Sequence, residues 1–261
     1  MKLSIITVCL NSRRFLPQAI ESVLSQDYQN FEYIIVDGGS SDGTVDLIKQ
    51  YAENDPRILW SSEPDLGISD AMNKGAFRAS GDVIAHLNSD DYYAHTTVFS
   101  QVIDCFKTSS SIVWLTGGLI FVAEDGAPMR ELGARNYSFR RLLRGNILLH
   151  PATFIRREAF CAVGAFDPNL QYCMDYDLFL RLGEKAAPFV LDEQLTCFRI
   201  HADSRSVTSS EQAYAEELQV RMNYLHETGR PSWFYKIDYQ IKSRLNRMFY
   251  KGLLSSSRKK S

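Results

Sequence analysis

Gly81-Asp82-Val83-Ile84-Ala85-His86-Leu87-Asn88-Ser89-Asp90-Asp91 is an apolar run that ends on two adjacent carboxylates. The run from Gly81 to Ala85 reads as a strand buried on both faces of a parallel sheet. Side chains just past the C-terminal ends of such strands line the crevice where open α/β sheets bind ligands. Neighbouring aspartates repel each other there unless a cation lies beside them. Hard divalent ions take oxygen ligands, and Mg²⁺ typically combines one or two carboxylates with phosphate oxygens. The stretch therefore reads either as a metal–diphosphate site or as a turn and helix N-cap.

Outward from it, strands and helices alternate. Leu3 to Val8 is a short apolar strand that runs into Cys9-Leu10-Asn11, and Phe15, Leu16, Ala19, Ile20, Val23 and Leu24 recur at helical spacing. Tyr33-Ile34-Ile35-Val36 is a second buried strand, closed by the turn-rich Asp37-Gly38-Gly39-Ser40-Ser41-Asp42-Gly43, after which Thr44 is placed to cap a helix. Ile58-Leu59-Trp60 gives a third strand, and residues 68–79 a third helix. This order means βαβ units around a parallel sheet. Residues 112–122, 152–155 and 195–200 are strand-like without alternating helices, so the second half predicts a mixed sheet.

The 261 residues, 45% hydrophobic, suffice for one sizeable α/β core with an appended subdomain. A net charge of −2 gives no reason to expect nucleic acid. Five scattered cysteines form no Cys-x-x-Cys pair, which argues against a zinc site or disulfide framework and predicts a reducing, cytoplasmic location. The N-terminal apolar run is too short for a signal peptide, and no stretch approaches the roughly 18–20 apolar residues of a spanning helix. No G-x-G-x-x-G follows a strand and no P-loop is present, so neither dinucleotide nor P-loop chemistry is supported.

Chemistry requires the loops after several strands to converge at one sheet edge. Thr7 to Asn11 follow the first strand, Asp37 the second, and Asn88 to Asp91 a later one. Asp37 either accepts hydrogen bonds from a base or ribose or organises an Asx-turn at Gly38-Gly39. Asp175 and Asp177 stand at the start of a helix carrying Leu178, Leu180, Arg181 and Leu182, where one can cap while the other reacts; the cap is assigned to Asp177.

The segments Ser4 to Asn11, Ser25-Gln26, Tyr33 to Thr44, Glu63 to Gly75 and Asn88-Ser89-Asp90-Asp91, in this order, resemble the family-two glycosyltransferases with the GT-A fold. His150-Pro151, Phe154 to Arg157, Gly164 to Asp167 and Asp175 to Leu178 with Arg181 continue the match, which covers about residues 3–206. The resemblance implies a GT-A, Rossmann-like, mixed and mainly parallel sheet flanked by helices. It implies inverting transfer of a sugar from a nucleotide-sugar, usually a UDP-sugar, to an acceptor hydroxyl.

On the matching positions, Thr7, Leu10, Asn11 and Asp37 fall where the family holds uracil and ribose. Leu10 stands where the family commonly has an aromatic. Asp65, Asn73 and Lys74 fall where the family contacts donor. Asn88-Ser89-Asp90 occupies its Asp-x-Asp motif, leaving Asp90 as the matching ligand for Mn²⁺ or Mg²⁺, with Asp91 assisting directly or through water. His201 matches a histidine that completes the metal site; a lone histidine is otherwise structural. Asp175 matches the catalytic base of the family's Glu-Asp motif, with Met174 in place of the glutamate. A second carboxylate nearby is expected to raise its pKa. His150 lies near the expected donor or acceptor position.

Two other readings compete with this one. A sugar-nucleotide nucleotidyltransferase would need glycines that Leu10-Asn11-Ser12-Arg13 lacks, and a catalytically silent sugar-nucleotide-binding protein would explain Asn88 and Met174. The expected organisation is a transferase domain over 1–206, with a nucleotide-sugar half at 1–95 and a catalytic half at 96–206, and a helical, basic extension over 207–261. In that extension Glu211 to Glu227 carries Tyr214, Leu218, Met222 and Leu225 on one face. Residues 232–257 carry an apolar stripe from Trp233 to Leu253 interleaved with basic side chains. Such a stripe either lies on an anionic membrane surface, suiting a lipid-linked saccharide acceptor and a peripheral location, or packs on the domain or a second subunit.

Overall fold

In the computed structural model the described residues are 1–133, 136–202, 204 and 210–231. Four parallel strands form the first half: β1 (Leu3–Cys9), β2 (Phe31–Asp37), β3 (Ile58–Ser62) and β4 (Val83–His86). They lie in the order β3-β2-β1-β4, with Ile5 opposite both Tyr33 and Ala85. The sheet then turns mixed, as the absence of crossover helices predicts. β8 (Thr153–Arg156) runs antiparallel to β4 and to β6 (Trp114–Val122). β9 (Phe189–Arg199) is parallel to β6, and the short β5 (Tyr92–Tyr93) and β7 (Pro128–Leu132) pair antiparallel with β9 and β6.

Alternation along the strands builds two apolar layers, because successive side chains point to opposite faces. Leu3, Ile5, Tyr33, Ile35, Val83 and Ala85 face α1 (Leu16–Leu24), α2 (Thr44–Asn54) and α4 (Val98–Thr108). Ile6, Ile34, Val36 and Ile84 face α3 (Ile68–Arg78) and α7 (Met174–Lys185). Complete burial of such side chains contributes about 1.5–3 kcal/mol each. Gly75 lets α3 approach β1: a methyl group there would lie 2.4 Å from the Ile6 side chain. Two short helices, α5 (Phe139–Leu142) and α6 (Arg157–Ala162), complete the second layer.

Thr44 does not cap α2. It is the first helical residue, after left-handed Gly43 (φ 91°), and Asp42 accepts both its N–H (3.0 Å) and its hydroxyl (2.5 Å). The Asp42 carboxylate is acceptor-only and two residues upstream, so it reaches the orphan donor better than a hydroxyl on the helix itself.

The helix α8 (Ser210–Glu227) packs into the body rather than standing away from it. Val220, Tyr224 and Leu225 join the α7 layer, and the Glu216 carboxylate accepts the N–H groups of Gln171 (2.7 Å) and Tyr172 (2.9 Å). Its buried face is therefore Val220, Arg221, Tyr224 and Leu225; Leu218 and Met222 are only partly buried. The expected stripe over 232–257 lies outside the described residues. Among the described residues no helix is long and apolar enough to cross a membrane.

At the N-terminal ends of the strands, away from the loops of interest, Lys2 Nζ, Ser4 Oγ and the Ser80 N–H and hydroxyl converge on Glu32 at 2.6–2.9 Å. Burial works to raise this carboxyl, but the donors outweigh it and hold it at about 2. A carboxylate depressed in the folded state adds stability above its unfolded pKa, and loses it as pH falls through the folded value. Glu32→Gln is thus expected to cost about 1–3 kcal/mol at neutral pH. That gap should narrow as pH falls from about 4.3, the unperturbed value, towards about 2. Urea titrations at several pH values check this. A gap independent of pH would sink the assignment.

Candidate active site

A cleft of about 1120 Å³ opens at the C-terminal ends of β1 and β4 and is closed on its far side by α7 and α8. The β1–α1 loop contributes Leu10, Asn11 and Phe15. Leu10 is 60% exposed, and Asn11 adopts a left-handed backbone (φ 51°), a conformation its short polar side chain tolerates. Its Oδ1 accepts the Ser41 N–H at 2.9 Å and its own N–H donates to Ser40 Oγ at 2.7 Å, tying this loop to the one after β2. Asp65 lines the cleft with Oδ1 on the Gly67 N–H at 2.9 Å. Bare Gly38 leaves room for the other oxygen, which would be 2.6 Å from any Cβ there.

The loop after β4 carries the acidic pair. Asp90 lines the cleft, and its Oδ2 lies 3.0 Å from Nε2 of His201, whose ring packs 4.8 Å from the Phe15 ring. Asn88 and Ser89 line the cleft beside it, Ser89 donating to Ser12 Oγ at 3.0 Å. Asp91 departs from expectation as a metal ligand. It is buried, with Oδ1 accepting the Arg199 N–H (2.9 Å) and Oδ2 the Asn88 side-chain amide (2.8 Å). Burial, reinforced by the Asp90 charge, pushes its pKa well above the usual carboxylate range. It is a buttress behind Asp90.

Asp175 lines the opposite part of the same cleft. Its Oδ1 accepts the Tyr176 N–H at 2.8 Å and its Oδ2 the Asn146 side-chain amide at 2.9 Å. Burial lifts its pKa to about 6 against those two donors. The cause is desolvation, not the neighbouring carboxylate expected from the sequence. Asp177 does not cap the helix either: Cys173 holds the N-cap position, and Asp177 pairs with Arg181 one turn on at 2.5 Å. Arg181 also donates to the Ala165 carbonyl at 2.7 Å, clamping a left-handed turn.

Four expected donor contacts lie outside the cleft lining. Thr7 is fully buried, donating to the Leu87 carbonyl (2.8 Å) and accepting from the Tyr33 hydroxyl (2.9 Å). Asp37 is also fully buried and takes the Asx-turn alternative. It accepts Gly39 N–H (3.0 Å), Ser40 N–H (2.9 Å) and the Ser62 hydroxyl (2.7 Å). Burial opposes ionisation there, but the Ser40, Ser62 and Gly39 donors prevail and hold the pKa below the usual range. Asn73 uses both ends of its amide on the Phe166 backbone, at 2.8 and 3.0 Å. Lys74 sits 3.2 Å from Asp70 and from the Pro64 carbonyl. These four shape the loops from behind.

His150 lines the cleft, yet its Nε2 is buried against His86, 5.5 Å between ring centroids, and burial lowers its pKa to about 4. Sequence reasoning missed three groups. Arg199 is buried behind the acidic pair, its Nε on the Asp90 carbonyl at 3.0 Å. Its signal was an arginine inside the apolar run Cys197 to Ile200. Asn146, in an unremarkable loop, gave none. Glu217 lines the cleft from a helix that sequence placed outside the domain.

This architecture, with a mainly parallel sheet turning mixed and its cleft at the strand ends, is that of the GT-A glycosyltransferases. The chain belongs to glycosyl transferase family 2, whose profile matches residues 4–162. It is 31% identical over 193 residues to an uncharacterized glycosyltransferase of Mycobacterium tuberculosis, covering 72% of this chain and 71% of the relative. A Bacillus subtilis protein named for teichuronic acid biosynthesis is 30% identical, covering 78% of this chain and 81% of its own length. Among solved structures, Staphylococcus aureus TarS 1-349 in complex with UDP-GlcNAc superposes with a TM-score of 0.68 at 17% identity, covering 86% of this chain and 66% of that one. A mannosyltransferase of Pyrobaculum calidifontis, in complex with GDP-Man and Mn²⁺, gives a TM-score of 0.68 at 15% identity, covering 98% and 73%.

Proposed function

We propose that this glycosyltransferase moves a sugar from a UDP-sugar to an acceptor hydroxyl with inversion, assisted by a divalent ion. The observation that carries the reading is one cleft shared by Asp175, its pKa near 6, and by the Asp90–His201 pair. A base poised near the operating pH combines the correct protonation state with driving force for proton transfer. Asp175 Oδ takes the acceptor proton as the acceptor oxygen bonds the anomeric carbon and the bond to the diphosphate breaks. Asn146 and the Tyr176 N–H keep its lone pairs oriented.

The residues present fit Mn²⁺ or Mg²⁺. Asp90 and His201 set an oxygen and a nitrogen donor side by side; the carboxylate suits either ion and the imidazole nitrogen favours Mn²⁺ over the harder Mg²⁺. Among the described residues no third acidic, histidine or cysteine side chain completes a cluster. Asp90 and His201 would hold the ion from the protein side, and its affinity should rise with the diphosphate of the donor bound. The chemistry it would supply is neutralisation of charge developing on the leaving diphosphate.

Leu10, Asn11, Asp65, Asn88 and Ser89 are the cleft side chains assigned to the donor, while Thr7, Asp37, Asn73 and Lys74 support their loops. The acceptor is read as a saccharide or a lipid-linked saccharide in cell-envelope synthesis. The B. subtilis relative's name and the basic apolar stripe of 232–257 support that reading. A peripheral position on an anionic membrane surface belongs to the same reading, and a homodimer through that stripe is its alternative.

The test is UDP release from a panel of UDP-sugars with Mn²⁺, with GDP-mannose as the control. At least one UDP-sugar should be consumed. Turnover of GDP-mannose alone would overturn the choice of nucleotide.

A further inference from the structure

Met174, directly before the base, is 5% exposed and packs into the α7 layer, so this position brings no carboxylate to the acceptor side. The helix α8 brings one from elsewhere. Glu217 lines the same cleft as Asp175, Asn146, Tyr172 and Tyr214. It sits one residue from the base's own support: a methyl on Gly145 would lie 3.2 Å from Glu217 Oε1, and Asn146, next in the chain, holds Asp175.

Glu217 is fixed from behind. Its Oε1 accepts from the guanidinium of Arg221, whose side chain is 1% exposed. Arg221 Nε donates to the Tyr176 hydroxyl at 3.2 Å, and that hydroxyl donates to the Leu142 carbonyl at 2.9 Å. A buried ion pair by itself is weak evidence even for stability. What distinguishes this one is that Glu217 keeps 19% of its side chain exposed, on the cleft side, while its partner is sealed. A carboxylate held at a cleft wall accepts strong charge-assisted hydrogen bonds from hydroxyl donors. Tyr172 and Tyr214 add large faces that are apolar in body and polar at the tip. Convergent polar groups between aromatic walls are what orient a small ligand in a concave site.

We infer that the α8 end of the cleft is the acceptor subsite, and that Glu217, fixed by Arg221, binds hydroxyls of a pyranoside acceptor. This rests on the transfer reaction proposed above. To the saccharide acceptor read there it adds the side chain that positions it, and it gives α8 a part in the site.

The experiment is saturation-transfer NMR on the full chain with the methyl glycosides of glucose, galactose, N-acetylglucosamine and rhamnose, in the presence of UDP and Mn²⁺. At least one glycoside should show transfer, lost in Glu217→Ala and Glu217→Gln. Loss of one charge-assisted hydrogen bond weakens binding by about tenfold or more. Thermal unfolding checks both variants, and the near-isosteric glutamine decides if alanine does not fold. Signals unchanged in Glu217→Gln, or no transfer to any of the four glycosides, would overturn the subsite. Failure of the wild type to bind UDP by calorimetry would instead sink the donor reading, so the two failures are distinguishable.

Discussion

Asp175→Asn is expected to lower turnover by about 10²–10⁴-fold, the range for a lost general base, with UDP affinity near that of the wild type. The amide keeps the shape and still accepts the Tyr176 N–H through its oxygen, but it cannot take a proton. Because burial lifts Asp175 to about 6, the wild type should show an acid limb in kcat/KM that rises with pH through that value. Below it the carboxyl is protonated and no longer a base; above it the rate levels. Asn146→Ala removes a donor that favours the ionised form, so it should move the limb to higher pH. Asp177→Asn is the comparator: it breaks the Arg181 pair and should cost stability more than rate. A larger kcat loss in folded Asp177→Asn than in Asp175→Asn would show the base is assigned to the wrong carboxylate.

Asp90→Ala should abolish measurable turnover and weaken UDP binding in Mn²⁺, because it removes the carboxylate of the Asp90–His201 pair that would hold the ion. His201→Ala should act in the same direction and less severely, since the carboxylate supplies the charge. With the ion chelated, UDP affinity of the wild type should drop to that of Asp90→Ala, and the variant's own affinity should not change further. Calorimetric titration of UDP with Mn²⁺ and with EDTA measures both. Full turnover in excess EDTA would remove the ion from the mechanism altogether.

Sequence by itself determined the sheet and its ligand-binding edge. Short, largely apolar runs at residues 3–8, 33–36 and 83–85, separated by helical periodicity, admit little besides a parallel sheet, and loops at its C-terminal edge follow. The order of motifs was enough to single out Asp90, His201 and Asp175, all of which line one cleft. Tertiary structure decided which polar side chains face that cleft and which hold it up. Thr7, Asp37, Asn73 and Asp91 were indistinguishable from ligands in sequence, because a polar residue near a strand end looks the same whether its partner is a ligand or a neighbouring backbone. Backbone groups of distant segments show Thr7, Asn73 and Asp91 to be satisfied internally, and the Asx-turn with Ser62 does so for Asp37. The same holds for Arg199 and Asn146, which take their places through partners 75 to 181 residues away for Arg199 and 29 away for Asn146. Hydrogen-bond satisfaction is a property of the folded neighbourhood, and no local pattern encodes it.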